Sequence, residues 1–133
     1  MRSIAKAVTT STEVNHFHRI TTANGHQLTT DEPESAGGRN AGPAPYELLL
    51  ASLGSCTGIT LKMYAEHKGW DIGEISVELD LQKNKEGDTH IERRLTSSLP
   101  LSDEQWQGLL KIAGKTPVTK TLLNGATINT ERA

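Results

Sequence analysis

Three features of the 133-residue chain predict an α+β fold in which antiparallel strands are segregated from helices. The stretch from Gly42 to Gly69 reads as one long helix bounded by proline and glycine. Period-two runs of apolar residues stand on both sides of it. Ser102-Asp103-Glu104-Gln105 has the pattern of a capping box that opens a second helix. The predicted order is three strands, a long helix, two strands, a helix and a last strand, in a single domain spanning 1–133, because a chain of this length encloses one core.

Taken in order, Ile4–Val8 alternates as a short strand, and Phe17–Ala23 and His26–Thr30 flank Asn24-Gly25, a dipeptide suited to a type I′ hairpin turn. Asp31 to Gly42 is a polar, glycine-rich loop that delivers the chain into the long helix, and loops so placed often carry function. Pro43 and Pro45 suit the helix entry and Gly69 a left-handed C-terminal cap. Glu47 near the start, with Lys62, His67 and Lys68 near the end, match the helix dipole. Leu48, Leu53, Cys56, Ile59, Leu61, Met63 and Ala65 fall all round this helix, so more than one partner must cover it, and a second copy of the chain would do so. Ser52, Gly54, Ser55, Thr57 and Gly58 surround Cys56 with small side chains, and the cost of glycine inside a helix, roughly 1 kcal/mol each, is offset by close approach of another backbone.

Ile75, Val77, Leu79 and Leu81 alternate with polar residues, and Ile91, Arg93, Leu95, Ser97 and Leu99 continue as a second run, so the two pair as a hairpin with one wet face. Arg93 interrupts an otherwise apolar face. Trp106, Leu109, Leu110 and Ala113 follow helical spacing, and Gly114 ends that helix. Pro117 opens a further turn or two through Leu122, and Asn124-Gly125 turns the chain into a final strand over Ala126–Thr130.

Composition narrows the function. A net charge of −2 gives no basic surface for nucleic acid or acidic lipid. Glu47 and Lys62 interrupt the best candidate for a membrane-spanning run, and the N-terminus lacks the apolar core of a signal peptide. With a single cysteine there is no internal disulfide, which fits a reducing, cytoplasmic compartment. His16 and His18 have the spacing of metal ligands on a strand but no third ligand, so neither metal nor cofactor is implied. Gly37-Gly38-Arg39-Asn40 lacks the phosphate-loop pattern and reads as a glycine-rich turn. Cys56 has two readings: a small buried hydrophobe, or a reactive thiol whose thiolate is favoured by a cation brought from elsewhere in the fold.

Gly42 to Thr57 (GPAPYELLLASLGSCT), Met63 to Trp70 (MYAEHKGW) and Lys115 to Leu122 (KTPVTKTL) resemble the OsmC/Ohr family of thiol-dependent hydroperoxide reductases, in the same order and spacing from about Asp31 to the C-terminus. The resemblance implies an OsmC-like fold, an intertwined homodimer whose central helices are wrapped by sheets of both subunits. It makes Cys56 the peroxidatic cysteine. It also implies a carboxylate, for which Glu47 stands one residue past the family position held here by Tyr46, and an arginine, for which Arg19 and Arg39 are the candidates. Thr116 occupies the place of the resolving cysteine, so a Cys56 sulfenic acid requires an external dithiol. Two functions follow from the resemblance: reduction of small organic hydroperoxides, or a non-catalytic dimer that binds a small hydrophobic ligand.

Overall fold

The computed structural model describes all 133 residues, Met1–Ala133. The chain forms two compact units, Met1–Leu49 and Leu50–Ala133. In the first, β1 (Ala7–Ser11), β2 (His18–Thr22) and β3 (Gln27–Thr30) form an antiparallel meander in that order. A 3-10 turn at Glu34–Ala36 and an irregular loop then lead to α1 (Pro45–Lys68), which starts in the first unit and runs through the second. The second unit adds the hairpin β4 (Ile75–Lys83) and β5 (Thr89–Ser97), then α2 (Asp103–Ala113) and α3 (Pro117–Asn124). The α+β class and its segregated antiparallel sheets are as the periodicity predicts.

Four local expectations are corrected. First, β1 begins at Ala7 rather than Ile4: its register pairs Ala7 with Thr22, so Ile4 would fall opposite the turn. Second, the β2–β3 connection is a four-residue loop and not a type I′ turn. Gly25 alone is left-handed (φ 86°), and its N–H donates to the Thr22 carbonyl at 3.0 Å. Third, His16 lies ahead of β2 with φ 69°, so it does not share a strand face with His18. Finally, no strand forms over Ala126–Thr130: residues 125–133 carry no regular structure and Ile128 is 89% exposed. Alternation supplies a strand pattern, but a strand needs a neighbour to pair with.

The helix boundaries follow their sequence signals. Gly69 (φ 73°) ends α1 in the left-handed region, and Trp70 N–H donates to the Ala65 carbonyl at 2.8 Å, the long bond of a Schellman motif. At α2, Ser102 Oγ accepts from Gln105 N–H at 3.1 Å and Gln105 Oε1 accepts from Ser102 N–H at 2.9 Å, completing the capping box. Leu61, Ala65, Ile72, Leu109 and Ala113 form the buried core of the second unit, with Tyr64, Trp70, Leu95 and Trp106 packed against it. The inward residues of β4 and β5 face α1 where its side chains are small. A Cβ built on Gly54 would stand 2.9 Å from Leu79 Cδ1, so glycine lets the sheet approach the helix there.

The opposite side of α1 is bare. Ile59 and Met63, one turn apart, are 61% and 64% exposed. By length and composition alone α1 is long and apolar enough to cross a bilayer, a test that the core helix of a soluble protein also passes.

Candidate functional site

Cys56 lies in the middle of α1, partly buried. Its neighbour Thr57 is fully buried and turned toward the sheet. Thr57 Oγ1 donates back to the Leu53 carbonyl at 2.7 Å, which satisfies its own hydrogen, and its lone pairs accept from Arg93 Nη1 at 2.9 Å. Arg93 is the residue that breaks the apolar face of β5, directly opposite Leu79 of β4. The alternation of the strand forces its side chain inward, where three neutral acceptors meet it. Nη1 also donates to Thr119 Oγ1 at 2.8 Å, and Nη2 donates to the Ala113 carbonyl at 2.8 Å.

The ends of α2 and α3 supply those acceptors. Ala113 is the last residue of α2, where carbonyls have no partner within the helix. Thr116 stands at the N-cap position of α3 without a side-chain capping bond, and Pro117 at the first helical position fixes the turn that brings Thr119 inward. Thr116 and Thr119 share a hydrogen bond of 2.6 Å between their hydroxyls, and both side chains are buried. No carboxylate is among the hydrogen-bond partners of Arg93, and the His90–Glu92 ion pair is on the surface. Burial is the larger influence on Arg93 and lowers its pKa, while the negative charge of Cys56 acts against that and raises it. Even so lowered, a guanidinium stays protonated, so Arg93 is a fixed positive charge.

The other residues singled out in the sequence lie in the first unit, and each has a local partner. Glu47 Oε1 accepts from Ala44 N–H at 2.9 Å and so closes the first turn of α1. Arg19 sits on the exposed side of β2 with its guanidinium 5.6 Å from the centre of the Phe17 ring. Arg39 is exposed, and its backbone N–H donates to Asp31 Oδ2 at 3.1 Å. The structure brings Arg93 together with Thr57, the residue after Cys56 in α1, and with Thr119, and none of these three was in the sequence-based set. Arg93 carried a readable signal, a cation alone on an inward strand face; the two threonines carried none.

Asp31 organises the loop ahead of α1. Its side chain is buried, and its carboxylate accepts from Glu32 N–H at 2.8 Å and from the N–H groups of Arg39 and Ala41 at 3.1 Å each. Burial acts to raise its pKa, but those three donors and the nearby His16 outweigh it, so Asp31 titrates below the ordinary carboxylate range. Asp31, His16 and His18 line a cavity of about 280 Å³ with Thr9, Thr30, Glu32 and Pro45. His18 Nδ1 donates to the His16 carbonyl at 3.0 Å, and no three acidic, histidine or cysteine side chains are grouped to hold a metal ion.

Residues 37–131 match the OsmC-like protein family. No curated protein sequence matches the chain. Among solved structures, a protein from Psychrobacter arcticus 273-4 described as an osmotic stress induced and detoxification response protein superposes with a TM-score of 0.78 at 18% identity, over 91% of this chain and 90% of that one. An organic hydroperoxide resistance protein OsmC from Legionella pneumophila gives 0.67 at 17% identity, covering 90% and 89%. The organic hydroperoxide resistance protein OhrB of Bacillus subtilis gives 0.62 at 24% identity, covering 90% of each chain.

Proposed function

Because the chain belongs to the OsmC-like protein family, we propose that it reduces organic hydroperoxides through Cys56, with Arg93 as the cation that holds the thiolate and an external thiol as reductant. The observation that carries this reading is the Arg93 guanidinium, held by Thr57, Thr119 and the Ala113 carbonyl, with Thr57 next to Cys56 in α1. A thiolate is the nucleophilic form of cysteine, and an adjacent cation favours it. The thiolate sulfur attacks the terminal peroxide oxygen; the O–O bond breaks, the sulfur is oxidised to the sulfenic acid, and the alkoxide leaves and takes a proton from water. Arg93 can steady the developing alkoxide as charge moves from sulfur to oxygen.

The chain holds no second sulfur except in its methionines. A thiol from outside therefore displaces the sulfenic hydroxyl as water and leaves a mixed disulfide, and another thiol releases Cys56. A dithiol performs the last step within one molecule at high effective concentration, so it outperforms a monothiol at equal concentration. This chemistry belongs in a reducing compartment such as the cytoplasm.

The working unit in this proposal is a homodimer, supported by the bare apolar side of α1 around Ile59 and Met63. Light scattering on a sizing column should report twice the chain mass of 14.4 kDa.

The test of the activity is direct. Reduced protein given one equivalent of an organic hydroperoxide should gain one oxygen on Cys56, then stall until dithiol is added. If the Cys56→Ser protein consumes hydroperoxide as fast as the unmodified one, the reading is wrong and a ligand-binding dimer takes its place.

A further inference from the structure

We propose that the C-terminal segment Ala126–Thr130 of one copy of the chain pairs as an antiparallel strand with the open edge of β1 in a second copy. This rests on the homodimer of the preceding reading but not on the chemistry of Cys56, and it names the segments that the two copies exchange.

Of the two outer edges of the first sheet, one is sealed and one is open. Along β3, the Pro43 carbonyl accepts from Asp31 N–H at 3.3 Å and from Thr30 Oγ1 at 2.8 Å. Gly42 packs there so closely that a Cβ on it would stand 3.0 Å from Thr29 Oγ1. The other edge is β1, exposed along all of its length. Ala23 N–H donates to the Lys6 carbonyl at 3.1 Å, so the alternation of an antiparallel ladder turns the backbone groups of Val8 and Thr10 toward β2 and those of Ala7, Thr9 and Ser11 outward. Ala-Val-Thr-Thr-Ser has neither charge nor proline, the usual guards of an edge, whereas charged side chains such as Glu78, Asp80, Glu92 and Arg94 stand along β4 and β5.

The segment that fits this edge has a strand pattern and no strand of its own chain beside it. Ala126, Ile128 and Thr130 alternate with Thr127 and Asn129, and Ile128 is 89% exposed. Laid antiparallel along β1, Thr130 stands opposite Ala7, Ile128 opposite Thr9 and Ala126 opposite Ser11, so each outward-turned residue is met. Thr9 already pairs with Ile20, and Ile20 with Leu28, so Ile128 extends an apolar row whose far end, Leu28, is 44% exposed. The same register puts Glu131 opposite Lys6. A slip of two residues either way puts Glu131 opposite Ile4 or Val8 and loses that charge pair, which selects the register. Each chain has one such segment and one such edge. Two copies related by a two-fold axis therefore each give a strand and receive one, and neither edge is left over.

The test places cysteine pairs in a Cys56→Ser background, where no native thiol interferes. Val8 and Asn129 form a non-hydrogen-bonded pair in this register, with Cα atoms about 4.5 Å apart, which suits a disulfide. Val8→Cys with Asn129→Cys should oxidise to a species of twice the chain mass on a non-reducing gel. Oxidation at the mass of one chain would mean that the segment folds back on its own β1, and a covalent dimer from Val8→Cys alone would mean that β1 pairs with β1; either result overturns the exchange. In the unmodified sequence, ending the chain at Gly125 should weaken dimerisation roughly tenfold or more and speed hydrogen exchange at the amides of Ala7, Thr9 and Ser11 by a similar factor. The cysteine arm, on the full-length chain, stands even if the shortened chain folds poorly. If the shortened chain dimerises as tightly and exchanges as slowly as the full one, the homodimer stands on α1 and this inference falls. If the full chain is a monomer, the homodimer reading and this inference fall together, and the reading of Cys56 is untouched.

Discussion

Each unit of the molecule holds one charged group whose environment shifts its pKa, and the two are treated differently. Asp31, in the first unit, is enclosed by backbone N–H groups from its own loop, all within ten residues, and both of its carboxylate oxygens accept from them. Arg93, in the second, is held by side chains and a carbonyl drawn from three helices, 20 to 36 residues away in sequence, with no carboxylate among them. A charge satisfied by its own loop fixes the shape of that loop. A charge supported only by neutral, distant groups, beside the single cysteine, is available to act on another charge.

That contrast can be broken by substitution. The largest loss of stability is expected for Arg93→Met, which leaves two buried hydroxyls and a helix-terminal carbonyl without their donor. A cost of about 2–4 kcal/mol, read by chemical denaturation, follows from leaving such groups unsatisfied. Thr119→Val keeps the shape but removes one acceptor of Arg93 and the partner of the buried Thr116 hydroxyl, so its expected cost is about 1–2 kcal/mol, accompanied by slower oxidation of Cys56 because the guanidinium is held by fewer bonds.

Asp31→Asn should lower the melting temperature without changing the rate at which Cys56 reacts, and its effect should depend on pH. The folded pKa of Asp31 lies below the unfolded value, so its contribution is fully present above about pH 4. It is lost as pH falls from there through the folded pKa. The difference in melting temperature between the two proteins should therefore shrink below pH 4, and a difference that grew on acidification would contradict the assignment. The smallest effect is expected for Ser102→Ala at the capping box, at or below about 1 kcal/mol, with no change at Cys56.

Signals that act within a few residues were legible in the sequence. The proline entry and Gly69 cap of α1, the reciprocal bonds of Ser102 and Gln105, and the alternation of β4 and β5 all depend on close neighbours along the chain, and all formed as read. The misreadings share one cause: they depended on pairing. Ile4 and the 126–130 stretch have a strand pattern but no strand beside them, and Asn24-Gly25 sits in a loop whose length is set by where β2 and β3 pair. The site was the least legible part. Arg93 reaches Thr57 and Thr119 only when the sheet packs on α1 and the ends of α2 and α3 close over it, and nothing in the spacing of those residues announces the meeting.

The pairing of Cys56 with Arg93 is the claim on which the account turns, and the rate of Cys56 oxidation by an organic hydroperoxide tests it most directly, measured by mass in the unmodified protein, Arg93→Lys and Arg93→Gln. The account predicts that Gln, which removes the charge, slows oxidation by about tenfold or more. Lys, which keeps the charge but not the planar fork, should recover part of that loss. Equal rates in all three folded proteins would contradict it.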